Sequence, residues 1–202
     1  MSNVPDKNSF ANAYADKAPW DIAGPQAPFV AAADRFSGSI LDAGCGTGEN
    51  ALFFAARGHR VTGIDYLDTP IERAKQKAAQ RTLTVNFITS DALALREMPD
   101  SFDHAIDCGL FHVFNDADRQ QYVAGLASVI KPGGTLFLMC FSDEEPAGPG
   151  PRRISRADLQ TAFADGWTLE SVTPTRFEVI PEFKAVFSAD GPKAWFVVAK
   201  RH

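Results

Sequence analysis

The 202-residue sequence predicts an α/β fold in which a parallel sheet is wound by crossover helices. Short apolar runs alternate with helical patterns from residue 38 onward, which is typical of strands that are joined through helices. A glycine-rich turn lies between the first predicted strand and the first predicted helix, where such sheets commonly bind ligands. With 45% apolar and 22% charged residues, the composition is that of one globular domain.

The first half of the chain contains three predicted strands and two predicted helices. The strands cover residues 39–45, 60–66 and 83–90. The first helix covers residues 49–57 and is ended by Gly58, in the position that a left-handed C-cap would take. The second helix is predicted over residues 69–81. Thr69 supplies an N-cap hydroxyl, Pro70 suits the first helical position, and a glutamate lies three residues after the cap.

The second half of the chain is predicted to add four strands and two helices. The strands cover residues 102–108, 135–141, 168–180 and 194–200. One helix covers residues 116–130 and is ended by the Lys-Pro-Gly-Gly run at 131–134, because proline and glycine interrupt helices. A proline-rich loop at 143–153 precedes the other helix, which covers residues 155–164 and begins with a serine–aspartate capping pair.

Charge and cysteine content argue against several functional classes. The 20 basic and 25 acidic residues give a net charge of −5 without a basic cluster, so a nucleic-acid partner is not expected. Cys45, Cys108 and Cys140 lie far apart in apolar or glycine-rich segments, which favours reduced side chains. The four histidines lack metal-ligand spacing, so no metal is expected. Without an apolar span or a signal-like N-terminus, we expect a cytoplasmic protein that binds no membrane. We expect it to be a monomer or a weak homodimer.

The glycine-rich turn indicates a site for a nucleoside. Gly44, Gly46 and Gly48 have G-x-G-x-G spacing, and glycine is needed where a ligand approaches the main chain closely. A dinucleotide-binding turn places its third glycine one position later, and Glu49 would repel a pyrophosphate at the helix start. Asp65 ends the second strand, where a carboxylate can accept hydrogen bonds from both ribose hydroxyls. The ligand is therefore expected to be less anionic than NAD.

These residues resemble the class I S-adenosylmethionine-dependent methyltransferases, and the likeness extends over residues 39–200. It implies a Rossmann-like sheet of seven strands in the order 3-2-1-4-5-7-6, with the seventh strand antiparallel and helices on both faces. The implied cofactor is S-adenosylmethionine, with S-adenosylhomocysteine as its product. The cofactor-binding residues that the resemblance implies are Asp42, Gly44, Cys45, Gly46, Thr47, Gly48, Asp65, Tyr66, Leu67, Asp91, Ala92, Asp107 and Cys108.

The N-terminal segment is similar to that of the enzymes in this family that methylate thiopurines, thiols, halides and heterocycles. The residues that carry this likeness are 18–22 (APWDI), Gln26 and Pro28. In those enzymes a lid with a tryptophan covers the cofactor. The likeness therefore assigns residues 1–36 to a lid that the sheet itself does not need, and residues 37–202 to the cofactor-binding domain. Tyr14 and Trp20 suit such a lid because aromatic faces attract a sulfonium cation, although Trp20 would also suit a core position.

The molecule that would accept the methyl group is expected beyond the carboxyl ends of strands four to six, where ligands bind in such sheets. The predicted substrate-binding residues are Phe111, His112, Phe141, Arg152, Phe183 and Phe187. Their aromatic character favours a planar or lipophilic small-molecule substrate. His112 is the candidate general base for an acceptor that must be deprotonated, although it would also suit a packed polar position.

The sequence thus predicts an enzyme that transfers a methyl group to an S, N or O atom of a small aromatic, heterocyclic or thiol acceptor, a reaction suited to detoxification. Two alternatives stay open. One is a protein that binds the cofactor as a sensor without turnover. The other is a nicotinamide-dependent oxidoreductase, which the glycine spacing and Glu49 disfavour.

Overall fold

The computed structural model describes residues 7–16, 18–148 and 150–202. The strands of its central sheet are β1 Ser39–Ala43, β2 Arg60–Asp65, β3 Asn86–Thr89, β4 Phe102–Cys108, β5 Ile130–Phe141, β6 Trp167–Arg176 and β7 Lys193–Arg201. The seven strands lie in the order β3-β2-β1-β4-β5-β7-β6. β7 is antiparallel to both of its neighbours, whereas β1 to β5 pair in parallel. The expected sheet order and the antiparallel seventh strand are confirmed.

Helices cover both faces of the sheet. They are α1 Lys7–Ala15, α2 Ala27–Ala31, α3 Glu49–Ala56, α4 Asp68–Gln80, α5 Asp116–Val129 and α6 Arg156–Ala162. Because strand side chains alternate, Leu41 of β1 packs in the core beneath α5 and α6, and Ile40 packs in the core beneath α2, α3 and α4. Among the residues that the structure describes, every helix is too short or too polar to cross a lipid bilayer.

Several predicted boundaries differ from the observed ones by one to five residues; for example, β3 begins at Asn86 and not at residue 83. β5 begins at Ile130, so the Lys-Pro-Gly-Gly run ends α5 but lies inside the strand, where the pairing with β4 shifts register. β6 ends at Arg176, and a 3₁₀ turn at Pro181–Val186 follows. The predicted N-cap at Thr69 is wrong, because α4 begins after an extended Leu67, whose amide donates to the Asp65 carboxylate.

Part of the N-terminal extension belongs to the core. Phe29 of α2 is fully buried against Phe196 of β7, with ring centroids 5.4 Å apart. Phe36 stacks on Phe137 of β5 at 4.1 Å. The expectation that the sheet does not need residues 1–36 is therefore corrected.

The residues around α1 pack separately from both main cores. Tyr14 of α1 and the nearby Ala18 form a small apolar cluster with Leu67 at the start of α4. Residues 1–6 and 17 of the predicted lid lie outside the described residues. The division of the chain into a lid and a cofactor-binding domain stays a prediction.

Replacing Phe36 by alanine is expected to lower the free energy of unfolding by about 3–5 kcal/mol. The Phe36 ring packs against Phe54 at 4.2 Å and Phe137 at 4.1 Å, so its removal leaves a cavity in the core. Urea denaturation measures the change. Phe10→Ala in α1, which lies in the small separate cluster, is the control and should cost less. Equal losses in the two variants would contradict the assignment of Phe36 to the core.

Candidate active site

A cavity of about 950 Å³ opens beyond the carboxyl ends of the parallel strands, the edge at which sheets of this kind bind ligands. Its walls come from the turns after β1 to β4, from α1 and the segment that follows it, and from the loops after β5 and β6. Ligand cavities usually measure about 300–1,000 Å³. This one is therefore large enough for a nucleoside and a small second molecule.

The turn after β1 keeps its main chain open to the cavity. Gly44, Gly46 and Gly48 have φ angles of 69°, 54° and 87°, which side chains disfavour. A Cβ atom on Gly46 would lie 2.7 Å from the Tyr14 hydroxyl, and one on Gly48 would lie 2.7 Å from the Phe87 ring. Both the backbone conformation and the available space therefore require glycine in this turn.

Asp65 fixes the glycine turn from the end of β2. Its carboxylate accepts hydrogen bonds from the Gly46 amide at 3.1 Å and from the Leu67 amide at 3.0 Å. Burial raises the pKa of Asp65, and these backbone hydrogen bonds oppose the rise. A carboxylate has about four acceptor positions, so Asp65 can also accept hydrogen bonds from a ligand in the cavity that it lines.

Asp42 is a buried carboxylate behind the same turn. It is 1% exposed, and neither oxygen has a hydrogen-bond partner within the described part of the chain. Burial raises its pKa to about 7, the nearby Ala51 backbone amide opposes the rise, and the carboxylates of Asp107 and Asp65 add to it. A carboxylate in such a place is unfavourable unless a cation or a donor compensates it. The glycine turn is therefore a favourable place for a positively charged ligand group.

A network of charges fastens the N-terminal segment over the glycine turn. The Thr47 hydroxyl donates to Asp21 at 2.5 Å, and Lys77 of α4 donates to Thr47 and Glu49 at 2.8 Å. Burial would raise the pKa of Glu49, but hydrogen bonds from Arg81 and Lys77 outweigh it and hold the pKa below its ordinary value. Because these two cations compensate the charge of Glu49, Glu49 would repel a pyrophosphate less than the sequence suggested.

Three aromatic residues, Phe10, Tyr14 and Trp20, form an aromatic lid at the cavity. The Trp20 indole Nε1 donates to the Tyr14 hydroxyl at 3.0 Å, and the two rings meet edge to face at 5.9 Å. Phe10 contacts Trp20 at 5.7 Å and Tyr66 at 6.0 Å. Trp20 is 42% exposed and lines the cavity. This position fits a lid residue and not the alternative of a core anchor.

Most of the predicted cofactor-binding residues meet at the cavity. Those that line it are Tyr14, Trp20, Gly44, Cys45, Gly46, Thr47, Gly48, Asp65, Tyr66, Asp91, Ala92 and Cys108. Asp42, Leu67 and Asp107 are buried behind its wall. The Asp107 carboxylate accepts hydrogen bonds from the Leu110 amide at 2.8 Å and from the Tyr122 hydroxyl at 2.9 Å. It therefore positions the turn after β4 and does not face a ligand directly.

The loops after β5 and β6 supply an aromatic wall to the cavity. Phe141, Phe183 and Phe187 line the cavity as predicted. Phe177 also lines it and contacts Phe141 at 5.3 Å. Phe177 was not predicted to line the site, because it follows β6 directly and the strand was predicted to continue to Ile180.

Phe111 and Arg152 are not at the cavity, and their predicted substrate contacts are corrected. Phe111 is fully buried and stacks on Phe163 at 5.7 Å, on the far side of the 3₁₀ turn Phe111–Val113. Arg152 donates to the Asp116 carboxylate at 2.8 Å and to the Phe114 carbonyl at 3.1 Å. The guanidinium thus closes a loop at the surface.

His112 reaches the cavity as a neutral ring. Its Nδ1 accepts a hydrogen bond from the Phe141 amide at 2.9 Å, so the proton of the neutral ring is on Nε2. Burial lowers the pKa of His112 to about 3, and the cations Arg153 and Arg119 add to the shift. Such a ring can donate from Nε2 but cannot take up a proton near neutral pH. The expected general base is therefore corrected to a hydrogen-bond donor.

Two contacts that the sequence did not reveal join the N-terminal segment to the acceptor side. The Gln26 side chain exchanges hydrogen bonds of 2.9 and 2.8 Å with the Glu178 main chain. The Ile180 amide donates to the Pro19 carbonyl at 3.0 Å. Both contacts link residues that are more than 150 positions apart, so no local pattern could indicate them. They hold the aromatic lid and the aromatic wall together.

Comparisons with known proteins agree with this geometry. Residues 40–134 match a family model described as a methyltransferase domain. The 2-heptyl-1-hydroxyquinolin-4(1H)-one methyltransferase of Mycobacteroides abscessus is 32% identical over 167 residues, which cover 80% of this chain and 74% of that protein. A probable thiol methyltransferase 2 of Arabidopsis thaliana is 27% identical over 147 residues, or 70% of this chain and 65% of its own.

Solved structures share the fold. One described as "Conversion of a Disulfide Bond into a Thioacetal Group during Echinomycin Biosynthesis" superposes with a TM-score of 0.82 at 33% identity, covering 93% of this chain and 87% of the other. TehB from Haemophilus influenzae superposes with a TM-score of 0.72 over 96% of this chain and 66% of its own. At 18% identity, the second likeness supports the fold alone.

The stability of the protein is expected to depend on pH through Asp42. Its pKa in the folded state, about 7, lies above the unfolded value of about 3.9. The folded state therefore keeps a proton that the unfolded chain releases, and the contribution of Asp42 to stability falls as pH rises through this window.

Asp42→Asn should remove this dependence. Relative to the original protein, its free energy of unfolding should rise by up to about 3 kcal/mol between about pH 5 and pH 8. Urea denaturation at both pH values measures this difference. Asp143→Asn, at an exposed position, controls for the change in net charge. An Asp42→Asn effect of equal size at both pH values would contradict the prediction.

Proposed function

The chain belongs to the class I S-adenosylmethionine-dependent methyltransferases, and we propose that it methylates an S, N or O atom of a small aromatic, heterocyclic or thiol acceptor. The observation that carries this proposal is the meeting of the glycine turn, Asp65 and the aromatic wall in a single cavity. The names of two relatives support a small acceptor, since one is a hydroxyquinolinone methyltransferase and the other a probable thiol methyltransferase. Because the chain belongs to this family, the alternative hypothesis of a nicotinamide-dependent oxidoreductase is set aside.

The residues of the cavity fit S-adenosylmethionine. In our proposal, the open main chain of the glycine turn holds the methionine part, and Asp65 accepts hydrogen bonds from the ribose. Tyr66, Asp91 and Ala92 flank the adenine. The buried carboxylate of Asp42 favours the ammonium group of the cofactor from behind the turn, because a nearby cation stabilises the ionised form of a buried acid.

S-adenosylmethionine supplies a methyl group on a positively charged sulfur, and the electron pair of the broken carbon–sulfur bond stays on that sulfur. Since this leaving group needs no protonation, the residues of the chain mainly orient the two molecules and exclude water. The aromatic lid suits both tasks, because an aromatic face attracts a cation and covers it.

Asp65→Asn is expected to weaken the binding of S-adenosylhomocysteine by about 10- to 100-fold, because hydrogen bonds to a charged acceptor contribute about 1.5–3 kcal/mol. Isothermal titration calorimetry measures the affinity. Asp68→Asn is the matched control, since Asp68 lies three positions further on at an exposed site. An unchanged affinity in Asp65→Asn would remove Asp65 from the cofactor site.

Trp20→Ala is expected to weaken the binding of S-adenosylmethionine more than that of S-adenosylhomocysteine. Only the former carries the sulfonium charge, and cation–π attraction contributes about 0.5–2 kcal/mol, or about 2- to 30-fold in affinity. Titration of both ligands measures the difference, and Trp20→Phe, which keeps an aromatic face, should show a smaller one. Equal losses for both ligands would show that Trp20 acts only by covering the site.

Turnover separates an enzyme from a sensor that only binds the cofactor. The purified protein should transfer labelled methyl from S-adenosylmethionine to at least one acceptor in a panel of thiophenols, phenols and 1-hydroxyquinolin-4(1H)-one. The aromatic wall favours this outcome, because a sensor has no use for an acceptor site. Tight binding of S-adenosylhomocysteine without methylation of any acceptor would favour the sensor.

A further inference from the structure

The acceptor end of the cavity presents a fixed hydrogen-bond donor, the Nε2–H of His112. We propose that the acceptor is bound as an anion, a thiolate, oxyanion or heterocyclic aza-anion, whose charged atom accepts a hydrogen bond from His112 Nε2–H. This inference rests on the proposed function and adds the ionisation state of the acceptor and the residue that selects it.

The main chain fixes which nitrogen of His112 carries the proton. The amide that donates to Nδ1 belongs to Phe141 at the end of β5, and a backbone amide can only donate. A general base at Nε2 would need the opposite tautomer, with two protons facing each other at Nδ1. The ring is also held in place edge to face against Phe141 at 5.1 Å and against Phe177 at 5.9 Å.

The donor edge of His112 is open to the cavity. Gly109, which also lines the cavity, has a φ of 89°, and a Cβ atom built on it would lie 3.5 Å from both Cε1 and Nε2 of His112. A side chain at position 109 would therefore cover the donor. Glycine leaves room for a ligand atom there.

Two arginine side chains lie behind the residues around this donor, and Arg119 packs over the Phe111 ring at 4.9 Å. Arg119 of α5 is 5% exposed, and its Nε and Nη2 have no hydrogen-bond partner among the residues described. The Asp116 carboxylate lies 3.7 Å from Arg119 Nη1, and its side chain is 78% exposed. Arg153 lies over the Phe141 ring at 5.2 Å. Both guanidinium groups lower the pKa of His112, so the same potential favours an anion at Nε2.

Asp116 and Asp158 face Arg119 and compensate part of its charge, whereas the acids near Arg153 and at the end of β4 are held by other donors. Glu145 lies near Arg153, but its carboxylate accepts hydrogen bonds from the amides of Ser188 and Lys193. The carboxylate of Asp107 at the end of β4 accepts from backbone amides and from the Tyr122 hydroxyl. Neither acid accepts the Nε2 proton.

The site therefore favours acceptors whose S–H, O–H or N–H group is acidic enough to ionise. A bound thiol, phenol-like hydroxyl or acidic ring N–H loses its proton to solvent, because a donor and nearby cations stabilise the charged form. The enzyme takes up no proton in this step. Aliphatic alcohols, which ionise too weakly, and amines, which carry a positive charge when protonated, are expected to be poor acceptors.

The test uses 4-nitrophenol, whose neutral and ionised forms absorb at different wavelengths. Its spectrum is recorded against pH with saturating protein, with and without S-adenosylhomocysteine. The apparent pKa of the bound phenol is expected to fall by about one to two units. A bound phenol that stays neutral, or a titration curve that is unchanged by the protein, would overturn the proposal.

Two substitutions at His112 separate the effect of the Nε2–H donor from that of the contact with the Phe141 amide. In His112→Asn, the amide oxygen can still accept from the Phe141 amide, but the Nε2–H donor is lost, so the pKa shift of bound 4-nitrophenol should disappear. In His112→Gln, the longer amide can place an N–H near the former Nε2, so part of the shift should return. A full shift in His112→Asn would overturn the role of His112.

The affinity for S-adenosylhomocysteine keeps this inference distinct from the proposed function. Both His112 variants should bind that ligand as the original protein does, which also shows that they are folded. If the original protein binds no S-adenosylhomocysteine, the proposed function fails, whereas the 4-nitrophenol titration without it still decides whether the site holds an anion.

Discussion

The hydrogen bond from the Gly46 amide to the Asp65 carboxylate ties the turn after β1 to the end of β2, and the cofactor side of the cavity depends on it. The carboxylate also accepts from the Leu67 amide, so one side chain fixes the glycine turn and the entry into α4. Because the acid is buried and held by main-chain donors, its oxygens keep one orientation relative to the open glycine backbone. A ligand therefore meets a preorganised site.

The two ends of the cavity have opposite electrostatic character. Asp42 and Asp65 are buried at the glycine turn, whereas Arg119 and Arg153 are close enough to His112 at the acceptor end to lower its pKa. A ligand with a positive centre is favoured at the first end and an anion at the second. In the proposed reaction these charges belong to the cofactor and the acceptor, so the protein orders the two reactants by charge before any bond changes.

Local patterns in the sequence predicted the sheet and the glycine turn, but they could not orient side chains in tertiary structure. Asp65 was found because its place at a strand end is a matter of spacing along the chain. Phe111 and His112 are neighbours in sequence, yet the 3₁₀ turn directs one into the core and the other to the cavity. The tautomer of His112 depends on the Phe141 amide, 29 residues away, and nothing near position 112 encodes it.

Two buried charged residues break the usual rules of burial, one behind the glycine turn and one in α5. Asp42 has no hydrogen-bond partner in the described chain, and Arg119 is a buried cation with two such nitrogens. Each arrangement lowers the stability of the free protein. The packed cores on both faces of the sheet offset this loss. If stability alone determined these positions, apolar residues would serve better. The charge of Asp42 is best explained by a ligand of opposite sign, since a bound ligand then recovers part of the free energy that folding loses.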